Sequence, residues 1–496
     1  MIEMFESTII KWLSIAAIFA YLIYRFSTAT FDYWKNRGIP YLKPTPAFGN
    51  TRQMFFKKSF AEQFKEFYDA FDGEPVCGVF QFRAPILVVR DPDIIKLVMV
   101  KDFLHFQDRR LSFNEKKEPL SAHLLNMRGS QWKGLRSKLT PTFTSGKMKM
   151  MFNLMNECAE ELKDFLLAPA SRNEILEVKE IMAKFTTDII GNCAFGIKCN
   201  SLKDPDSEFR NMGRKVVEPS LSNVVRRLLG LLLPMLGIRV LPWEVTQFFI
   251  SAVKETIAYR EKHNVVRNDF MQLLIQLKNE GKVQDDEENS TNDNHELNGN
   301  GPAPPNNGLN IEFTDSRLAS QAFIFFLAGF ETSSTTLSFC LYELAVNPDI
   351  QSKVREEIDT TLKKYGGISY ESVQELSYLG QVIDETLRKH PPASNITRIV
   401  TQPYVIPDTN AKLEKGVRVV IPVYAIHHDP RYYPEPERFD PERFILLSNF
   451  EFSVSEKTKQ PLELDPKSFI TSAKGGIWLR IHLILYRKNI AIIFIK

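Results

Sequence analysis

The spacing of hydrophobic and polar positions changes several times along this chain. Trp12 to Tyr24 is uncharged and mostly apolar, and Ile9 and Ile10 stand just before Lys11. A spanning helix needs about 20 residues, and Lys11 can snorkel to lengthen the usable stretch. Residues 1–25 are therefore predicted to be a membrane anchor. Gly38-Ile39-Pro40, Pro44 and Pro46 predict a stiff, non-helical hinge over 26–50. Residues 75–90 predict a β-hairpin, with strand formers Val76, Val79, Phe80, Phe82 and Ile86 to Val89 broken at Ala84-Pro85. Asp91 is the expected N-cap of a helix opening at Asp93. Helical spacing then dominates to about residue 280. Asn279 to Asn310 is polar and predicts a solvated loop within a domain. Arg317 to Leu344 is apolar nearly all round, which predicts a buried helix of ~40 Å through the domain centre. Asn347-Pro348-Asp349 ends it and caps the next helix. Short strands and Pro-rich loops follow residue 395, and no internal repeat is evident. The expected class is mainly α with small β-sheets, as one large domain over 51–444 and a divergent tail over 445–496.

Hydrophobic residues make up 44% of the 496, enough for an extensive core. A net charge of +3, from 63 basic and 60 acidic residues, gives no reason to expect nucleic acid as a partner. The five cysteines, Cys77, Cys158, Cys193, Cys199 and Cys340, include no Cys-x-x-Cys pair. They suit a reducing compartment and argue against a disulfide framework or a zinc site. Glu3 and Glu6 precede the anchor, while Arg25, Lys35 and Arg37 follow it. That asymmetry places the following body in the cytosol. A cleaved signal peptide is the alternative, disfavoured by the acidic leader and the lack of a small-residue cleavage site.

Several short patterns carry candidate chemistry. Ala328-Gly329-Phe330-Glu331-Thr332 lies in the long apolar helix. A mid-helix glycine costs about 1 kcal/mol relative to alanine, so Gly329 implies either close helix packing or a helix opened to admit a diatomic ligand. Thr332 alone reads as an ordinary back-bonded threonine. Glu331 is costly inside an apolar run unless solvated or functional. Glu385 and Arg388 share a helix face, as an exposed pair worth a few tenths of a kcal/mol or as a buried one. Trp132 and Arg136 also share a face, where the arginine could grip a carboxylate, or the tryptophan could simply pack. Phe106, Leu111 and Phe113 are large apolar residues that could simply be core. Leu228 to Leu236 reads as a buried helix junction or a surface that dips into a membrane.

Taken in order with Glu385-Thr386-Leu387-Arg388 and Pro441-Glu442-Arg443-Phe444, these motifs resemble the microsomal cytochrome P-450 family, in particular an insect-type xenobiotic-metabolising member. The resemblance runs from the anchor to about Phe444. It implies the large single-domain cytochrome P-450 fold and a haem cofactor. It implies an NADPH-dependent reductase as partner, membrane lipid at the anchor, and insertion of one oxygen atom into a lipophilic small-molecule substrate. The implied location is the endoplasmic reticulum membrane, with the catalytic body on the cytosolic side. By the same resemblance Thr332 relays protons to dioxygen, Glu331 supports it, and Ala328 and Gly329 form the oxygen groove. Trp132, Arg136 and Arg398 would meet the haem propionates, and Phe106, Leu111 and Phe113 would line the substrate pocket. Glu385, Arg388 and Arg443 would form a structural triad, with Arg438 the runner-up for its third member.

The family then carries a Phe-x-x-Gly-x-Arg-x-Cys-x-Gly loop whose thiolate ligates the iron, and no cysteine follows Cys340 here. The metal-ligand set is therefore empty, and the fold is expected to be incomplete at the haem-ligand loop and the last core helix. Cys340 stands 11 positions past Gly329, ~16 Å along the helix axis, and on the side where oxygen belongs. His482 is a lone histidine without a framework. Two readings stay open: a haem-thiolate monooxygenase, or a catalytically inactive truncated isoform or misread gene product whose last ~25 residues are untemplated by the fold. An anchored helical scaffold without haem ancestry is a third, opposed by the agreement of the motifs.

Overall fold

The structure, a computed structural model, describes residues 2–55, 57–109, 114–204, 206–217, 239, 241–281, 283, 313–407, 409, 411–441, 450–454, 457–458, 462–463, 465, 473–474 and 476–483. Leu111, Phe113, the stretch 228–236, Arg443 and nearly all of the polar segment 279–310 lie outside the described residues. The described strands are β1 (Val76–Gln81), β2 (Ala84–Val89), β3 (Ile175–Glu177), β4 (Ile396–Ile399), β5 (Tyr404–Val405), β6 (Lys412–Leu413), β7 (Arg418–Ile421), β8 (Phe450–Val454) and β9 (Trp478–Leu483). Contacts divide the chain into two compact units, Met1–Leu111 with Ser394–Ile426 and Ser112–Ala393 with His427–Lys496.

The first unit is built on a four-stranded sheet in the order β1-β2-β7-β4. β1 and β2 form the expected antiparallel hairpin; β2 pairs parallel with β7, and β7 antiparallel with β4. Successive side chains of a strand point to opposite faces. Val76, Phe80, Leu87, Val89 and Val419 go to one core cluster, and Cys77, Val79, Ile86, Val88 and Val420 to another. Burial of both faces explains why these strands read as nearly continuous apolar runs. Asp91 caps as expected, its carboxylate accepting from the amides of Asp93 and Ile94, and the helix opens one residue earlier, at Pro92. Phe106 is fully buried in the first of these clusters, so it serves as core. The chain begins with helix Ile2–Thr28. Its segment Ile10–Thr28 is long and apolar enough to cross a membrane, and none of it is buried.

The second unit is mainly helical, organised on the long helix Asp315–Val346. That helix starts two residues before the predicted stretch and ends two after it, with the Thr314 hydroxyl accepting from the Arg317 amide. Its side chains Phe339, Leu341 and Leu344 join Leu162, Phe185, Val354 and Val382 in one cluster. Each such large apolar side chain is worth about 1.5–3 kcal/mol on full burial. Asn347 stands at the N-cap position of helix Pro348–Tyr365 but makes no side-chain cap bond there. Its amide instead turns back and donates to the Glu343 carbonyl at 2.7 Å, closing the preceding helix.

The tail corrects an expectation. Strand β9 pairs antiparallel with β3 through Ile175↔Arg480 and Glu177↔Trp478, and β8 adds to its other edge. Ile477 is buried, and its carbonyl accepts from the Val178 amide at 2.9 Å. Among the described residues, strands β8 and β9 and Ile477 are therefore folded against β3 and are not left untemplated.

Candidate functional site

Gly329 packs against Ile190, the last residue of helix Val178–Ile190. A Cβ there would stand 2.4 Å from Ile190 Cδ1 and 2.9 Å from its Cγ1. The Thr186 hydroxyl donates to the Phe330 carbonyl at 2.9 Å across the same contact. Close packing accounts for this glycine, and the helix runs on as a regular α-helix through 328–332. Thr332 makes the ordinary back-bond, donating to the Ala328 carbonyl. Ala328 itself is exposed in mid-helix, between buried Phe326 and Phe330.

Glu331 is paired by a residue that the sequence alone did not reveal. Lys179 Nζ lies 2.9 Å from Glu331 Oε1 and donates to Ser334 Oγ and Thr335 Oγ1, each at 2.8 Å. Burial pulls the Lys179 ammonium below its ordinary range, and the neighbouring Glu331 carboxylate works against that. Lys179 occupies the first turn of helix Val178–Ile190, where a cation meets the positive end of the helix dipole. A lysine there between Val178 and Ile181 was the signal available. Next to it, Arg210 pairs with Glu180 at 2.6 Å and lies over the Phe330 ring.

Glu385 and Arg388 form a buried bidentate pair at 2.6 and 2.8 Å. Arg388 also donates to the carbonyls of His427 at 2.8 Å and Arg438 at 3.3 Å, and the Asp440 amide donates to Glu385 at 3.1 Å. Arg438 thus contributes its backbone. Its exposed side chain pairs with Glu435 at 3.0 Å, and the backbone at Glu435 has φ 50°. One turn from this pair, Glu343 is held by Lys389 at 2.9 Å and His390 at 2.6 Å. Burial would raise the Glu343 carboxyl, but His390 and Lys389 bring it below the usual range.

The candidate cofactor-binding residues divide between the units. In the second, Trp132 is buried on helix Gly129–Leu139, and exposed Arg136 has its guanidinium 5.6 Å from the tryptophan ring centroid. In the first, Arg398 is buried on β4, donates to the Thr397 carbonyl at 3.0 Å, and its Nε has no acceptor among the described residues. Burial and the neighbouring Arg109 guanidinium pull Arg398 down to about 10. A buried guanidinium with an open donor beside a second guanidinium suits an acidic ligand such as a haem propionate. The metal end does not fit. Burial raises the thiols of Cys77, Cys158, Cys193 and Cys340 to about 12, and raises Cys199 also. A thiol ligates iron as thiolate. Among the described residues no group of three or more His, Cys, Asp and Glu could hold a metal.

The family model for cytochrome P450 matches residues 39–446. The chain belongs to the cytochrome P450 family. Similar curated proteins include probable cytochrome P450 6a14 of Drosophila melanogaster, 38% identical over 509 residues, covering 93% of this chain and 97% of that one. Cytochrome P450 6a2 of the same fly is 38% identical over 522 residues, covering 95% and 98%. Cytochrome P450 6A1 of Musca domestica is 37% identical over 522 residues, covering 95% and 97%. Membership makes the chain a haem-monooxygenase relative. Ninety-five per cent of 496 residues is about 471, so the match to 6a2 runs past position 446, well into the tail. Its 522 aligned positions exceed the 496 residues of this chain, so the relative carries residues that this chain lacks.

Proposed function

We propose that this fold serves oxidation of lipophilic small molecules at the endoplasmic reticulum membrane. Helix Ile10–Thr28 is the anchor, the body lies in the cytosol, and an NADPH-dependent reductase supplies electrons. The observation that carries this reading is the acid and hydroxyl of Glu331 and Thr332 beside exposed Ala328, with Lys179 holding the carboxylate. Arg398 in the first unit is suited to an acidic group such as a propionate, and so, separately, is the Trp132–Arg136 pair in the second. Haem, where bound, supplies the activation of dioxygen. Lys179 fixes the Glu331 carboxylate on the helix. The Thr332 hydroxyl must leave the Ala328 carbonyl before it can pass its proton elsewhere.

A second reading is favoured by one observation. The tail is both matched by relatives and paired into the β3–β9–β8 sheet, yet no cysteine follows Cys340. A family member whose ligand-bearing loop is missing from within the chain, not cut from its end, accounts for both facts. Such a chain folds and lacks its iron ligand, which makes it an inactive isoform or a misread product. Two measurements separate the readings: sequencing the transcript across positions 440–480, and the spectrum of the reduced carbon-monoxide adduct of the purified full chain. The second reading expects no thiolate-type band until the corresponding segment of a relative is inserted after Phe444. That band in the unaltered chain would overturn it.

A further inference from the structure

Helix Gly129–Leu139 carries charge of one sign. Arg128, Lys133, Arg136 and Lys138 fall within 128–139, a stretch with no Asp or Glu. Lys133 and Arg136 are exposed, and neither enters an ion pair with another described residue. Three positions apart on a helix, they stand side by side on one face. Like charges so placed destabilise a helix slightly, and an anion lying between them relieves that.

Lys138 marks where an anion can come from. Its ammonium donates to the Gly281 carbonyl at 3.1 Å and stands 5.5 Å from the ring centroid of Phe313. Lys278 and Asp315 pair at 3.1 Å across the same two stretches of chain. Val283 and Phe313 are buried. The segment 284–312 therefore departs and returns beside the basic helix, within the second unit. Its 29 residues carry seven carboxylates, four of them consecutive from Asp285 to Glu288, and no Lys or Arg. Asp285 and Glu288 follow Gly281 by four and seven residues, a reach of up to about 14–25 Å. Lys133 is five residues from Lys138, about 7.5 Å along the helix axis. The acidic run is thus tied where it can meet the unpaired cations.

We propose that the exposed face of helix Gly129–Leu139 is a docking surface for this chain's own acidic run, residues 285–288, which lies over Lys133 and Arg136 and shields them from other polyanions. Each exposed ion pair is weak and screened by salt. Tethering holds the run at an effective concentration of about millimolar, so several weak pairs suffice. An acidic protein that approaches this helix must first displace the run, which makes the segment a built-in competitor. The inference goes beyond the oxidative role and needs neither haem nor bilayer.

The test uses the full chain in detergent, treated with a limiting amine-reactive ester. Mass spectrometry reads the labelling rate of Lys133, with exposed Lys254 as reference. In the combined variant Asp285→Asn, Asp286→Asn, Glu287→Gln and Glu288→Gln, Lys133 is expected to label roughly threefold faster while Lys254 is unchanged. Raising salt to about 0.5 M is expected to give the unaltered chain the same gain. A fluorescent oligoglutamate peptide is expected to bind the variant roughly fivefold more tightly than the unaltered chain, and Lys133→Gln is expected to remove that difference. Equal Lys133 rates in both proteins and at both salt concentrations would overturn the docking. Equal peptide affinity would overturn the competition. Protection that vanishes on dilution would put the run on a second copy and overturn the intrachain occupant. Should the variant not fold, the salt response of the unaltered chain decides.

Discussion

Two ion pairs of the second unit carry the same chemistry in opposite settings. Arg388 and Glu385 are closed off: backbone carbonyls of His427 and Arg438 and the Asp440 amide surround the bidentate pair. Lys179 and Glu331 are met by the hydroxyls of Ser334 and Thr335, with Thr332 half-buried and Ala328 exposed alongside. Desolvation makes any buried pair costly, and backbone groups that cannot rearrange make the first one a fastening. Hydroxyls rotate, so the second pair can change partners at small cost. Burial alone therefore does not tell a fixed pair from an adjustable one; the rigidity of the groups around it does.

The comparison can be broken by mutation. Arg388→Leu removes the bidentate guanidinium from the buried Glu385 carboxylate, and is expected to cost about 3–5 kcal/mol in denaturant unfolding. Lys179→Met is expected to cost less, about 1–3 kcal/mol, because the Glu331 carboxylate can turn toward the exposed side. Adding Glu331→Gln is expected to restore part of that loss. Equal costs for Arg388→Leu and Lys179→Met would sink the distinction.

Alkaline stability sharpens it further on the closed side. Burial pushes the thiol of Cys340, next to Thr386, up to about 12, against an ordinary thiol near 9. Above pH 9 the unfolded chain loses a proton that the folded chain keeps, so folding stability falls as pH rises toward 12. Cys340→Ala is expected to remove about 1 kcal/mol of that decline at pH 10. The smallest effect is expected at Gly329→Ala. The clash with Ile190 outweighs the gain in helix propensity by roughly 1 kcal/mol, and Ile190→Val recovers it. A more stable Gly329→Ala protein would show that the two helices can part freely.

Much of this was legible where local chemistry decides. The hairpin at 76–89 and the Asp91 cap follow from strand formers and a carboxylate before proline. The long helix is readable because its residues are apolar on every side. The Glu385–Arg388 contact follows from three-residue spacing, whereas its burial and its backbone partners near 427–440 do not, being set by chain folding far along the sequence. Lys179 escaped for the same reason: it meets Glu331 152 residues away. The tail looked foreign because β9 is short and isolated in sequence, and its meaning comes from β3, some 300 residues earlier, as the 300-residue span of the Ile477–Glu177 bond illustrates.

The four-stranded sheet of the first unit sets a schedule. Gln81 and its partner Arg418 are 337 residues apart. At ribosomal speeds of about 5–20 residues per second, β2 waits roughly 17–70 seconds after synthesis before β7 can dock beside it. During that interval its edge amides and carbonyls are open to any passing strand.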